Sequence, residues 1–217
     1  MPRMPFNLLN FIEFIEFKNL RLDLRTFKGT TLKPDPAIFR DDADYIVFLN
    51  LLKRYLGDKP SKNPVGVTYP LYHSRIELLA FCLMSNHFHL LVYQHSEDSM
   101  KLLLKSVSVA YAMYFNKKYK RIGPVFQQRY RASRISNEAY LLHISRYIHL
   151  NPDEYNIWQW SSLPYYSAKY KASWVIPKRI LDLFDNDDYL QFVDDYKDQR
   201  DELDDIRHEL ANDLDAE

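Results

Sequence analysis

The sequence predicts an α+β fold in which an antiparallel sheet is covered by helices. Amphipathic helical patterns are mixed along the chain with runs that are rich in β-branched and aromatic residues. Two of these runs are separated by only two polar residues, as in a hairpin. A chain of 217 residues that is 47% hydrophobic can bury the core of one principal domain.

Residues 1–38 are an N-terminal segment whose structure the sequence leaves uncertain. FNLLNFIEFIEF alternates weakly, and KGTTLKPDP resembles a loop. Glu13 and Glu16 interrupt the apolar run and no small-residue cleavage site follows, which argues against a signal peptide. Since no stretch approaches the roughly 20 apolar residues of a membrane span, we expect no contact with a membrane.

The first clear elements are a helix and a hairpin. DDADYIVFLNLLKRYLG begins with acids suited to a helix N-terminus, repeats apolar residues at helical spacing and ends at Gly57. RIELLAFCLM and HFHLLVYQ then form two strands around Ser85 and Asn86. Cys82 is the single cysteine, so disulfides are excluded and a cytoplasmic location is expected.

Further helices follow the hairpin. SMKLLLKSVSVAYAMYFNKKYKR predicts a long helix that ends before Gly123, and RYRASRI predicts a short strand. Asn137 and its neighbours can cap the helix AYLLHISRYIHLN, which Pro152 ends. These elements complete a main domain over 39–181, and 182–217 is predicted to be an acidic helical tail.

Charge is divided unevenly along the chain, although the formal net charge is zero. Residues 182–217 contain 15 acids and three bases, a net of −12, so 1–181 carry +12. This asymmetry indicates a basic body that binds a polyanion, or a solvated surface with a solubilising tail.

Two histidines open the second strand of the predicted hairpin. Side chains alternate along a strand, so His87 and His89 share one face while Phe88 lies on the other. Paired imidazoles at this spacing can bind one divalent metal ion. The alternative is two hydrogen-bonded or half-exposed histidines on a sheet face.

A stripe of polar side chains lies along one face of the helix that ends at Pro152. His143, Tyr147 and Asn151 lie four residues apart, on one face of that helix. Taken alone, a tyrosine in such a stripe is usually amphipathic packing.

The segment 101–134 combines cations with aromatic side chains and contains no acid. Basic groups neutralise phosphates and aromatic faces stack on unpaired bases, a composition that suits single-stranded or hairpin DNA. Part of the aromatic set is expected to be helix core instead. The predicted DNA contacts are Arg129 and Arg131, which alternate along the predicted strand, and Lys117, Lys118, Lys120 and Arg121.

Four motifs in order resemble the REP-associated tyrosine transposases of the single-tyrosine HUH nuclease superfamily. They are LLAFCLMSNHFHLLVYQ, GPVFQQRYRASRI, YLLHISRYIHLNP and WQWSSLPYY. The resemblance implies a ferredoxin-like (RRM-like) core. It also implies that Tyr147 is the nucleophile, that His87 and His89 bind magnesium or manganese, and that Asn151 is the third ligand or supports it.

The implied reaction is cleavage of single-stranded or hairpin DNA and rejoining through a 5′-phosphotyrosine bond. A phenol with a pKa near 10 is a weak nucleophile, so a metal ion that polarises the phosphodiester explains the histidines. The implied setting is the cytoplasm, at the nucleoid. Monomer and homodimer, and a tyrosine serving its own or a neighbouring subunit, stay open.

The N-terminus departs from this family, whose members usually begin with a Tyr-His-Val-like strand and an Asn-Arg-Gly loop. Here either FIEFIEF or LRLDLRTF takes the place of that strand, or the strand is degraded. A non-catalytic DNA- or RNA-binding regulator with the same fold is therefore the alternative function. A metal hydrolase of unrelated fold is a third hypothesis, although no carboxylate stands at a supporting spacing.

Overall fold

The computed structural model describes residues 12–18, 37–126, 130–135, 137–184 and 188–197. Its centre is a four-stranded antiparallel sheet of order β2-β3-β1-β4. The strands are β1 (Ile12–Lys18), β2 (Ile76–Leu83), β3 (His87–Gln94) and β4 (Arg131–Arg134). Helix α1 (Asp42–Leu56) precedes β2, and helix α2 (Ser99–Tyr119) precedes β4. This order is that of a ferredoxin-like fold, so the predicted α+β class is confirmed.

Strand β1 is formed by the FIEFIEF stretch of the N-terminal segment. It lies in the middle of the sheet, between β3 and β4. Its side chains alternate between the two faces: Ile15 and Phe17 enter one core, and Ile12 and Phe14 enter the other. Residues 12–18 therefore belong to the same sheet as the strands of the predicted domain 39–181, whereas LRLDLRTF lies outside the described residues.

Helices α1 and α2 cover one face of the sheet. Asp41 caps α1 by accepting a hydrogen bond from the backbone N–H of Asp44, as its acidic start predicted. In α2 every fourth residue from Leu103 to Phe115 is buried, which is the stripe that a helix packed on a sheet requires. The ring of Phe48 contacts that of Phe88 on β3, at 4.9 Å between centroids.

Helix α3 (Glu138–Leu150) covers the other face. Asn137 caps it by accepting a hydrogen bond from the N–H of Tyr140 at 2.8 Å, as the sequence predicted. Leu141, Ile144 and Ile148 are fully buried in the second core. Three short helices complete this layer: α4 (Leu163–Tyr166), α5 (Lys178–Leu181) and α6 (Tyr189–Asp194).

Helix α6 packs on α3, although it lies inside the predicted acidic tail. Tyr189 is fully buried, and its hydroxyl lies 2.7 Å from Nδ1 of His149 and 3.2 Å from Oγ of Ser145. Burial lowers the pKa of His149 to about 3, so this imidazole is neutral in the folded protein. The predicted tail is thus helical over Tyr189–Asp194, where Tyr189 and Val193 enter the core, while 198–217 lie outside the described residues.

The segment WQWSS covers the outer edge of β2. The carbonyl of Trp160 accepts the N–H of Leu83, and the N–H of Ser162 donates to the carbonyl of Phe81, both at 2.9 Å. Pairing of this kind protects an edge strand from other chains. None of the helices in the described part of the chain is long and apolar enough to cross a bilayer.

Candidate active site

The two histidines lie side by side at the start of β3, on the face that α3 covers. Their ring centroids are 4.9 Å apart and the rings are almost perpendicular. His89 is fully buried and stacks on Phe14 of β1 at 5.4 Å, whereas His87 is half-buried. The period of two along a strand brings them to one face, as the sequence predicted.

Tyr147 points from α3 toward this pair. Its ring lies in edge-to-face contact with the ring of His89 at 5.3 Å and with that of Phe14 at 6.0 Å. The side chain is largely buried, with 6% of the residue exposed. The predicted nucleophile and the histidine pair therefore meet within one chain.

Asn151 ends α3 one turn after Tyr147 and reaches His87. Its Oδ1 lies 3.2 Å from Nε2 of His87, while Nδ1 of the same ring lies 2.7 Å from Oδ1 of Asn86. A neutral imidazole has one N–H and can donate to only one of these two oxygens. A cation between Nε2 and the amide oxygen of Asn151 would satisfy the second contact.

Glu16 is a further member of the site that the sequence reasoning missed. It pairs directly with His89 across β1 and β3, and its Oε1 lies 3.9 Å from Nδ1 of His89. Its carboxylate is buried, with 9% of the residue exposed. Only the alternation of FIEFIEF could have indicated it, and that pattern does not tell which strand lies beside β1.

The donors that meet here fit a divalent metal ion. Two imidazoles and an amide oxygen converge, with a carboxylate beside them, and these donor types suit ions such as manganese or magnesium. Among the residues that the structure describes, no group of three or more histidine, cysteine, aspartate or glutamate side chains is spaced as a ready-made cage. An ion would therefore depend on the amide of Asn151 or on a shift of Glu16.

Arg131 extends the site toward the edge of the sheet. In the register of the sheet it pairs with Glu16, which pairs in turn with His89, so the three residues form one row on one face. Its side chain is exposed. Arg134 lies three residues on and therefore points to the other face. Arg129, the other predicted contact in this segment, lies outside the described residues.

The basic C-terminal end of α2 lies near the end of the sheet at which β3 begins, on the face opposite to α3. Phe126, which follows it, packs on Phe17 at 4.6 Å and on Phe88 at 6.1 Å, next to His87 along β3. The predicted contacts Lys117 and Lys120 are exposed here, and Arg121 is half-buried.

Lys118, also a predicted DNA contact, forms ion pairs with two carboxylates. Its Nζ lies 2.6 Å from Asp41 and 2.7 Å from Asp44. Burial alone would raise the pKa of Asp44, but Lys118 and further hydrogen-bond donors outweigh burial and lower it. Because two carboxylates already match its charge, Lys118 ties α2 to the start of α1.

His143, the first residue of the polar stripe, takes part in a separate cluster. Its Nδ1 lies 2.7 Å from the guanidinium of Arg146, and its ring faces Phe192 and Tyr196. Burial and the adjacent guanidinium lower the pKa of His143. The stripe therefore divides, and Tyr147 and Asn151 are the members at the histidine pair.

Comparison with known proteins supports the resemblance that the motifs indicated. Residues 69–151 match the family described as "Transposase IS200 like", and this range includes both histidines, Tyr147 and Asn151. A solved structure described as a REP-associated tyrosine transposase bound to a REP hairpin is 14% identical, with a TM-score of 0.48, covering 77% of this chain and 86% of that chain. The comparison with curated proteins gave no match. The family match supports the predicted resemblance for residues 69–151.

Proposed function

We propose that this chain, whose residues 69–151 match the IS200-like transposases, is a metal-dependent endonuclease and strand transferase for single-stranded or hairpin DNA. One observation carries the proposal: a buried tyrosine ring lies 5.3 Å from a histidine of an HxH pair, within a domain of this family. The substrate would place it in the cytoplasm, at the nucleoid.

Each residue of the site has a role in this reaction. His87, His89 and Asn151 would hold a magnesium or manganese ion, which polarises a phosphodiester when it is bound. The phenol oxygen of Tyr147 attacks phosphorus as its proton leaves, and the bond from phosphorus to the 3′ oxygen breaks. The 3′ oxygen takes up a proton, which gives a 5′-phosphotyrosine bond and a free 3′-hydroxyl.

The surroundings of Tyr147 serve this chemistry. Phe14 and Tyr147 are in edge-to-face contact and α3 fixes the backbone of Tyr147, so its ring is oriented before DNA binds. Exchange of one phosphoester for another conserves most of the bond energy. A new 3′-hydroxyl can therefore displace Tyr147 and rejoin the strand without a nucleotide cofactor. The chemistry needs no residue from a second copy, although a homodimer is compatible with it.

The proposed path for DNA runs along one end of the sheet. Arg131 stands in the row of Glu16 and His89, and Lys117 and Lys120 are exposed at the end of α2. Such cations would bind the phosphates on both sides of the bond that Tyr147 attacks. Arg129 and Arg121 are proposed to extend this path.

The test is a covalent adduct between protein and DNA. The protein is incubated with labelled hairpin and single-stranded DNA and Mn²⁺, and an adduct that resists SDS is sought. Tyr147→Phe is expected to abolish the adduct because it removes the attacking oxygen, and His89→Ala is expected to abolish it because it weakens metal binding. Tyr170→Phe, a change of the same size at a half-exposed tyrosine, should leave the adduct intact.

Two outcomes would contradict the proposal in different ways. An adduct that survives Tyr147→Phe would show that another residue is the nucleophile. Tight binding with no adduct, over a broad panel of hairpins, would instead support a regulator that binds nucleic acid without cutting it.

A further inference from the structure

We infer that Glu16 is a carboxylate ligand of the metal ion proposed at His87 and His89, an inference that rests on the proposed function. The family match begins at residue 69 and does not include Glu16. The register of the sheet, the burial of the carboxylate, the distances between donor atoms and the charge of the donor set support this role.

The register brings Glu16 to the histidine pair. Glu16 lies directly opposite His89 on the neighbouring strand, and residues so paired have their Cβ atoms about 4.5–5.5 Å apart on the same face. Glu13, the other acid of β1, is three residues away and belongs to the opposite face, where Arg134 is near it. The two glutamates of FIEFIEF therefore have different environments.

The burial of Glu16 calls for positive charge beside it. Its side chain is 10% exposed, on the face of β1 that also carries the apolar ring of Phe14. A carboxylate taken out of water is costly unless cations or hydrogen-bond donors compensate it. His89 stands on one side of it and the exposed Arg131 on the other. A divalent ion at the histidines would add the strongest such compensation.

Each of two pairs of donors in the site has a separation that two ligands of one ion can have. Ligands about 2.1 Å from an octahedral ion are about 3.0 Å apart when adjacent and about 4.2 Å apart when opposite. The gap between Nε2 of His87 and Oδ1 of Asn151 is 3.2 Å, close to the adjacent value. The gap between Nδ1 of His89 and Oε1 of Glu16 is 3.9 Å, which lies between the two values.

Charge makes this ligand chemically useful. Two neutral imidazoles and an amide carry no negative charge, whereas magnesium and manganese sites in proteins usually include a carboxylate. With Glu16 the set becomes two nitrogens, an amide oxygen and a carboxylate oxygen. It then neutralises part of the charge of the ion and selects for hard cations.

The experiment measures Mn²⁺ affinity by titration calorimetry on the full chain, without DNA. Glu16→Gln keeps the size of the side chain and removes its charge, and it is expected to weaken Mn²⁺ binding at least about tenfold. Glu13→Gln is the same change on the same strand but on the other face, and it should bind Mn²⁺ like the unmodified chain. Circular dichroism confirms that the variants fold.

The design separates this inference from the proposed function. If the unmodified chain binds Mn²⁺ and His89→Ala does not, the metal site stands. Equal affinity of Glu16→Gln and the unmodified chain would then overturn the role of Glu16 alone. If the unmodified chain fails to bind Mn²⁺, the metal-dependent function itself is contradicted.

A gain-of-function variant distinguishes a ligand from a residue that only orients His89. Glu16→His would place a third imidazole at the same position, and nitrogen donors favour Co²⁺ over Mn²⁺. Glu16→His is expected to bind Co²⁺ at least about tenfold more tightly than Glu16→Gln does. Equal Co²⁺ affinity of these two variants would show that residue 16 does not reach the ion.

Discussion

One row of paired side chains crosses the sheet at the site. Cys82, His89, Glu16 and Arg131 face one another on four successive strands. Each side chain in such a row can contact the next one, because side chains paired across strands lie within direct reach of each other. A change at one position is therefore expected to act on the next residue of the row.

Arg131 and Arg134 offer a matched test at the scale of single residues. Both are exposed on β4, but only Arg131 belongs to the face with the histidine pair. Arg131→Ala is expected to weaken binding of single-stranded DNA, and to reduce the slope of log affinity against log salt by about 0.7, since it removes one phosphate contact. Binding is measured by fluorescence anisotropy at several salt concentrations.

The control for this prediction is Arg134→Ala, which removes the same charge from the same strand. We expect it to change affinity much less than Arg131→Ala does. An equal loss in both variants would mean that charge in general, rather than the face of the sheet, governs DNA binding.

Lys118 shows why a cation in a basic segment need not bind DNA. In the sequence it stands beside Lys117 and Lys120, and the three cannot be told apart. In the fold all three are exposed, but the ammonium group of Lys118 contacts Asp41 and Asp44. The partners of a side chain, and not its type, decide whether its charge is available to a ligand.

At the scale of elements, α3 connects the site to the second core. Tyr147 points from it toward the histidines, and His149, two residues on and on another side of the helix, points toward α4 and α6. His149 lies 2.7 Å from both Tyr189 and Ser162, so both ring nitrogens have partners. Helix α6 therefore helps to hold the helix that bears the proposed nucleophile.

Tyr189→Phe tests this connection. The change keeps the ring and removes the hydroxyl between His149 and Ser145, which leaves buried polar atoms with fewer partners. The free energy of unfolding is expected to fall by about 1–3 kcal/mol, as measured by urea denaturation. Tyr170→Phe, at a half-exposed tyrosine, should change it by less than about 0.5 kcal/mol. If the two variants were equally stable, the buried network would not support α3.

At the scale of the whole molecule, the two faces of the sheet differ in the polarity of what they carry. Helices α1 and α2 form an apolar layer on one face, while the layer of α3 shares its face with the polar site. The C-terminal region also divides, since α6 belongs to the second core and 198–217 follow it with nine acids against two bases. This distinction decides where the chain can be shortened.

Removal of 198–217 is expected to strengthen binding of single-stranded DNA at low salt. The deletion takes away excess negative charge that repels the phosphates, or that competes with them for the basic surface. The gain should shrink at about 0.5 M salt, where charges are screened within a few ångströms. Unchanged affinity at both salt concentrations would mean that the acidic segment has no part in DNA binding. Removal of 182–217 would also delete Tyr189 and Val193, which are buried, and is expected to destabilise the fold.

Local periodicity was sufficient to predict most of the elements. The helix caps at Asp41 and Asn137, the hairpin around Ser85, and the shared face of His87 and His89 all depend on residues close together in the chain. The same holds for Tyr147 and Asn151, one turn apart on α3. Backbone geometry alone fixes these relations, so they can be derived without knowledge of the fold.

The sequence by itself determined an α+β chain with paired imidazoles on one strand face and a phenol with an amide on one helix face. Only the tertiary structure decided that these two faces meet, that FIEFIEF is the central strand, and that Glu16 stands beside His89 while Lys118 is neutralised. The reason is physical. Strand order and register arise from pairing between segments far apart in the chain. That pairing is selected by the total burial of both cores and not by any local pattern.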